Sequence, residues 1–473
     1  MIGSGEHAHA NAGPAVDATA ESGDQRLCAA VERARASHFY STHLSGHRVT
    51  GVRDLGRLPL TFKSHLRDAS PFGMLAVPPS KAWHYHESSG TTGQPISTWS
   101  GLEEIRRMGA IVAGAVPELA QDAMLLNRFP LFAPVSFVFE EAMRHAGACH
   151  IAAGTMSWDV PFTRALEFIR RLGVTAISSL PLEPILLGEL ARLEGLDLRT
   201  AFASVNVVFA GGAALPPALK RVIEADWDAR VVEIYGSNET LLLGVGCTAG
   251  RMHLCPDLVH AEILEPETLT PAAPGEAGVL TITSLAHDVM PLVRYVTGDL
   301  VRTRDEACAC GNAAPVAEVL GRYDERIEID GRTVMPYDIL DAGYDFADRL
   351  GTRIFFVLVR RRGLHLLIEV EHPDSARDAT AERRLAERLG VPITVEYLRP
   401  NDVMDRSAIF RGPKIYKPSQ ISDWRGEGRK TITIMEALLE WPRFDLGTLA
   451  RIGLREVRNA RRRRRILKED RGS

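Results

Sequence analysis

Glu87-Ser88-Ser89-Gly90-Thr91-Thr92-Gly93-Gln94-Pro95 places two serines, two threonines and two glycines in six consecutive positions, Ser88 to Gly93. Glycines let a backbone approach an anion closely, and successive amides can form an anion-binding nest. Four hydroxyls add donors without fixed charge, a composition suited to wrapping a polyphosphate. No Gly-Lys-Ser/Thr follows, so this is not the P-loop pattern. Alone, the stretch also has the composition of a polar surface loop, and its neighbours must decide.

Working outward, Tyr235-Gly236-Ser237-Asn238-Glu239-Thr240 follows the apolar run Val231 to Ile234, which has strand character. Then come Arg294-Tyr295-Val296-Thr297-Gly298-Asp299-Leu300, Gly321-Arg322-Tyr323-Asp324-Glu325-Arg326-Ile327 and Gly331-Arg332-Thr333-Val334-Met335-Pro336. In order and spacing these resemble the adenylate-forming superfamily of acyl-CoA synthetases, adenylation domains and luciferases. The approach, Leu58-Pro59-Leu60-Thr61-Phe62-Lys63 to Pro71-Phe72-Gly73, is similar to the phenylacetate-CoA ligase branch. The resemblance runs from about Leu58 to Asp423.

The expected class is α/β: a large N-terminal α/β domain with a β-rich subdomain, then a small mobile C-terminal α+β domain. Strands are expected at Leu172 to Ile177 and Val205 to Phe209, and helices at Phe162 to Arg171, Pro184 to Leu193 and Pro216 to Ala225. From 260 to 330 short strands and turns replace this alternation. The domains are read as a flexible extension over 1–25, the large domain over 26–322, the small one over 323–427 and an extension over 428–473. That last segment holds a helix candidate at Ile434 to Leu439 and the basic run Arg461 to Arg465.

Composition sets outer bounds. With 473 residues, 45% hydrophobic and 25% charged, the chain can bury a large core. A net charge of −4 gives no reason to expect nucleic-acid binding, and no apolar run is long enough for a membrane span. The first two dozen residues lack the charge and apolar core of a secretory signal, so the cytoplasm is expected.

The resemblance implies a role for each motif. Ser88, Ser89, Gly90, Thr91, Thr92 and Gly93 would hold the ATP phosphates. Gly212, Ala213, Gly236, Ser237 and Asn238 would line the nucleotide, and Tyr235 would stack on adenine. Glu239 would hold Mg²⁺, Asp299 would accept the ribose hydroxyls, and Arg322 would reach ribose or phosphate. Asn238 departs from the family's more usual Thr or Ser. Asp324 matches the hinge, and Lys414 or Lys417 would bring a cation to the α-phosphate during adenylation. Here Pro413 interrupts the family's Gly-Lys. Phe129, Phe132, Phe137, Ala210, Gly211 and Gly236 would form the acyl pocket, where paired glycines leave room for a flat ring. An aromatic carboxylic acid is therefore the expected substrate, with coenzyme A or a carrier-protein phosphopantetheine as acceptor. Capture of the adenylate by an amine or hydroxyl, and a non-catalytic nucleotide-binding relative, are the alternatives. An acyl carrier protein and a homodimer are the compatible partners.

The six cysteines are too sparse for a disulfide scaffold. Cys247, His253, Cys308 and Cys310 could close a tetrahedral structural Zn²⁺ site, with Cys255 as a substitute for His253; relatives of similar pattern carry zinc there.

Overall fold

The computed structural model describes residues 23–88, 94–154, 160–402, 406 and 419–425. Helices Gly23–Ala34 and His38–His43 lead to an antiparallel hairpin, β1 (His84–Glu87) and β2 (Ser97–Ser100). Five strands then pair in parallel: β3 (Met124–Asn127), β4 (Cys149–Ala152), β5 (Ala176–Ser179), β6 (Val207–Gly211) and β7 (Arg230–Ser237). Strands β5 and β6 are buried throughout, as parallel strands covered on both faces must be.

Helix Phe162–Leu172 shows how sequence sets these boundaries. Phe162, Ala165, Leu166 and Ile169 recur at helical spacing and are buried. Gly173 ends the helix at φ +66, its N–H donating to the Ile169 carbonyl. A strand starting at Leu172 is therefore excluded: the helix claims Leu172, and β5 begins at Ala176.

The short strands expected from 260 to 330 are present and begin earlier, at Leu241, but they do not create a separate sheet. Strands β8 (Leu241–Gly246), β9 (Met252–Leu254), β10 (Val259–Leu264), β11 (Ala277–Ser284), β12 (Tyr295–Arg304) and β13 (Val316–Arg322) are antiparallel. They continue the same 11-stranded sheet, ordered β10-β11-β12-β13-β9-β8-β7-β6-β5-β3-β4.

A short hairpin, β14 (Ile327–Ile329) with β15 (Arg332–Val334), opens the C-terminal α+β unit. Its sheet of β16 (Phe355–Arg360), β17 (Gly363–Glu369), β18 (Ile393–Leu398) and β19 (Ile421–Asp423) carries helices Pro336–Arg349 and Ala379–Leu389. One apolar core runs through both units, from Leu187, Val222 and Trp227 to Tyr344, Phe355 and Val357. Ion pairs line the same seam. Asp226 accepts from Arg353 at 2.9 and 3.1 Å and from Arg192 at 2.7 Å. Arg192 also holds Glu189, which Arg406 joins to Glu369. Asp341 accepts the Ala218 amide at the start of helix Pro217–Trp227, where a carboxylate is favoured.

Candidate nucleotide and metal sites

Tyr235 lies two residues before the end of β7, and Glu239 lies in the three-residue turn that joins β7 to β8. Ser237 and Thr240 close this turn through reciprocal backbone-to-hydroxyl bonds of 3.1 and 3.2 Å. Gly236 is obligatory: a Cβ there would sit 1.9 Å from the Leu241 carbonyl oxygen. One hairpin thus presents an aromatic ring and a carboxylate a few residues apart.

Asp299 lies directly opposite Arg322 across the β12–β13 ladder. Arg322 donates to Asp299 at 3.3 Å and to Asp324 at 3.2 Å, tying the end of β13 to the second residue beyond it. Gly298, at φ +81, leaves space that the guanidinium fills; a Cβ there would lie 2.8 Å from Arg322 Nη2. The Tyr235 hydroxyl donates to Asp299 at 2.9 Å. Four ladder steps separate β7 from β12. In a flat sheet that is ~19 Å, so the sheet must curl to let the two side chains touch. Burial lifts the Asp299 carboxyl above the ordinary carboxylate range, while Arg322 and the Tyr235 hydroxyl pull it back. Burial, then the Asp299 charge, pushes the Tyr235 phenol well up, so it stays a donor.

The phosphate-type loop joins this site at its edges. Ser88 accepts the Ile96 amide at 2.9 Å and returns its own N–H to the Ile96 carbonyl at 3.0 Å, closing the base of residues 89–93. Asn238 donates to the Glu87 carbonyl at 3.4 Å, so the β7–β8 turn abuts the loop's start. Ser89, Gly90, Thr91, Thr92 and Gly93 themselves lie outside the described residues.

Lys63 went unassigned in the sequence reading although it ends the quoted Leu58–Lys63 stretch. Its ammonium is 3.4 Å from the buried Glu239 carboxylate. The signal was slight, a lysine closing the short run Leu58-Pro59-Leu60-Thr61-Phe62. Only the fold shows that Thr61 pairs with Tyr295 and carries Lys63 to Glu239.

Cys247, His253, Cys308 and Cys310 converge with ligand atoms all within 4.8 Å of one another. Cys247 and Cys308 sulfurs are 3.7 Å apart, and Cys310 Sγ is 3.5 Å from His253 Nε2. A tetrahedral Zn²⁺ at ordinary bond lengths needs ~3.8 Å between sulfurs and ~3.5 Å between sulfur and nitrogen, so the set fits. His253 Nδ1 lies 2.7 Å from the Ala314 carbonyl; as donor there, it leaves the Nε2 lone pair facing the thiols. Cys255 is not among these ligands; burial pushes its thiol up to about 12.

The family described as AMP-binding enzyme matches residues 86–290. A phenylacetate-coenzyme A ligase of Thermus thermophilus is 30% identical over 61% of this chain and 65% of its own length. One of Escherichia coli is 28% identical over 70% of this chain and 76% of its own. The chain thus carries an AMP-binding enzyme domain over residues 86–290 and is similar to phenylacetate-CoA ligases of the adenylate-forming superfamily. It spans just under two thirds of the Thermus relative. The fold agrees: 2-hydroxyisobutyryl-CoA ligase in the postadenylation state superposes with a TM-score of 0.73, at 22% identity, over 85% of this chain and 88% of that one.

The expected acyl residues divide. Phe129 is buried, and a Cβ on Gly212 would lie 3.1 Å from Leu180 and 3.9 Å from the Phe129 ring. Phe129, Leu180 and Gly212 therefore meet at one place. Gly211 is closed in by the Ile234 carbonyl, 2.4 Å from any added Cβ. The Phe137 ring packs tilted against His84, centroids 3.9 Å apart, and the Phe132 carbonyl lies 2.9 Å from His86 Nδ1 while its ring is exposed. Ala210 is packed in the core shared with the C-terminal unit. Lys414 and Lys417 lie outside the described residues, as do the 428–473 extension and its helix candidate.

Proposed function

We propose that this chain is an ATP-dependent ligase that joins an aromatic carboxylic acid to the α-phosphate of ATP, expels pyrophosphate, and passes the acyl group to the thiol of coenzyme A. The observation that carries the reading is the meeting of Tyr235, Asp299 and Arg322, with Glu239 and Lys63 beside them, at the base of the hydroxyl-rich loop. An ionised Asp299 would accept both ribose hydroxyls, and the Tyr235 ring would cover the adenine. Lys63, Arg322 and the loop amides would meet the phosphates, where two anions must be brought together. Glu239 is the hard oxygen donor suited to Mg²⁺, which when bound neutralises phosphate charge. Lys414 or Lys417 would supply the remaining cation, and rotation about Asp324 would exchange it for the thiol acceptor.

The substrate class rests on the Phe129 ring beside Gly212, where the acyl group is expected, and on relatives named for phenylacetate. Zn²⁺ bound by Cys247, His253, Cys308 and Cys310 would be structural, since four protein ligands leave no open position. It would join the end of β8 to the β12–β13 connection, holding Glu239 and Asp299 in register.

Substrate-dependent ATP–pyrophosphate exchange, with aryl and aliphatic acids and no thiol, tests the proposal. Exchange with a benzoate or phenylacetate supports it, and exchange with aliphatic acids alone overturns the substrate class. Silence with every acid while ATP still binds turns the reading to a non-catalytic relative. Coenzyme A, a phosphopantetheinylated carrier and simple amines, offered in turn, then identify the acceptor.

A further inference from the structure

We infer that Arg294 is a positioning residue for the nucleotide site: its side chain clamps the segment before Lys63 and so fixes the Lys63–Glu239 pair. The inference rests on the ligase reading for what that pair does, but not for how it is held.

Arg294 is 6% exposed and sits at φ +45, a left-handed conformation that an arginine rarely adopts without constraint. Its guanidinium grips Glu262 on β10 with two bonds, Nε to Oε2 at 3.0 Å and Nη2 to Oε1 at 2.9 Å. Nη1 donates to two carbonyls of the N-terminal segment, Gly56 at 3.1 Å and Leu58 at 2.7 Å. The backbone acts in the same direction. Its N–H donates to Thr283 Oγ1 at 3.1 Å, and its carbonyl accepts the Thr61 amide at 2.9 Å. Val296 N–H then donates to the Thr61 carbonyl at 2.9 Å.

One residue thus joins β10, the entry to β12 and the segment 56–61. Two residues beyond Thr61, Lys63 reaches Glu239 at 3.4 Å. The Glu262 carboxylate orients the guanidinium, the guanidinium holds two carbonyls upstream of Lys63, and the twisted peptide pairs immediately upstream of it. A lysine would keep the charge but could not hold one carboxylate and two carbonyls in a fixed plane.

The test is a double-mutant cycle on the full-length chain. Arg294→Lys, Lys63→Met and the double variant are compared for ATP–pyrophosphate exchange and, separately, for the dissociation constant of ATP with Mg²⁺. Each single variant is expected to lose about tenfold, and the double variant no more than Lys63→Met alone, since a clamp on a missing lysine has nothing left to place. Independent losses that multiply to about a hundredfold, or an unchanged Arg294→Lys, overturn the proposal. A generally loosened fold would also multiply, which separates positioning from stability. If Arg294→Lys does not fold, Glu262→Gln, which releases the guanidinium from the other side, takes its place in the cycle. If wild type exchanges with no acid, the ligase reading fails, and the cycle in ATP affinity still decides for or against the clamp.

Discussion

The contact between Asp299 and Arg322 makes a prediction about pH. On the proposed reading Asp299 must be ionised to accept two ribose hydroxyls, and burial raises its carboxyl above the ordinary carboxylate range. The acid limb of kcat/KM for ATP should therefore lie above about pH 4. Arg322 opposes the upward shift, so Arg322→Leu should move the limb further up. Asp299→Asn should abolish it and weaken ATP binding by roughly 1.5–3 kcal/mol, the worth of hydrogen bonds to a charged acceptor. A pH profile of the three proteins checks this; an unshifted limb in Arg322→Leu would separate Asp299 from ATP binding. At this scale much was readable in the sequence. Tyr235, Asp299 and Arg322 stand in short, recognisable motifs, and the structure brings all three together. Lys63 was not readable as a site residue, because its partner Glu239 lies 176 positions away and only the pairing of Thr61 with Tyr295 closes that gap.

Among the elements, most helices and strands followed from apolar spacing and shifted only at their ends, β6 running from Val207 to Gly211 where Val205 to Phe209 was expected. Helix Phe162–Leu172 took Leu172 from the expected strand because Gly173 stops the helix a residue later than the pattern suggested. The convergence of β8, β9 and the β12–β13 connection on one cysteine–histidine cluster gives this scale its prediction. The purified chain should hold about one Zn²⁺, and Cys308→Ser or a strong chelator should lower the thermal midpoint on the order of 5 °C. Metal content and melting curves measured together check it; a metal-free protein with an unchanged midpoint would leave three reduced cysteines and a histidine as core packing. Spacing proposed these ligands, but the choice of His253 over Cys255 needed the β9–β13 register, which places His253 opposite Val316.

For the molecule as a whole, the seam between the units was the least readable feature. Arg192, Arg353 and Arg406 are scattered along the chain and belong to a type usually found in solvent. Folded, they join Glu189, Asp226 and Glu369 across the seam. Burial pushes Asp226 up, yet Arg353 and Arg192 outweigh it, and the carboxyl ends below its ordinary value. Its contribution to stability is thus present above the unfolded pKa and is lost as pH falls through the lower folded one. Asp226→Ala leaves two arginines facing each other and should cost about 3 kcal/mol at pH 7. Hydrogen exchange should rise first in β16 and β17, next to the seam; a loss below about 0.5 kcal/mol would show that the apolar core alone holds the units together. The pairing of Thr61 with Tyr295 also bears on synthesis. The stretch carrying Lys63 leaves the ribosome more than two hundred residues ahead of the strand that receives it. A nascent chain therefore carries an unpaired apolar segment until β12 emerges, and this is the stretch a chaperone would be expected to cover.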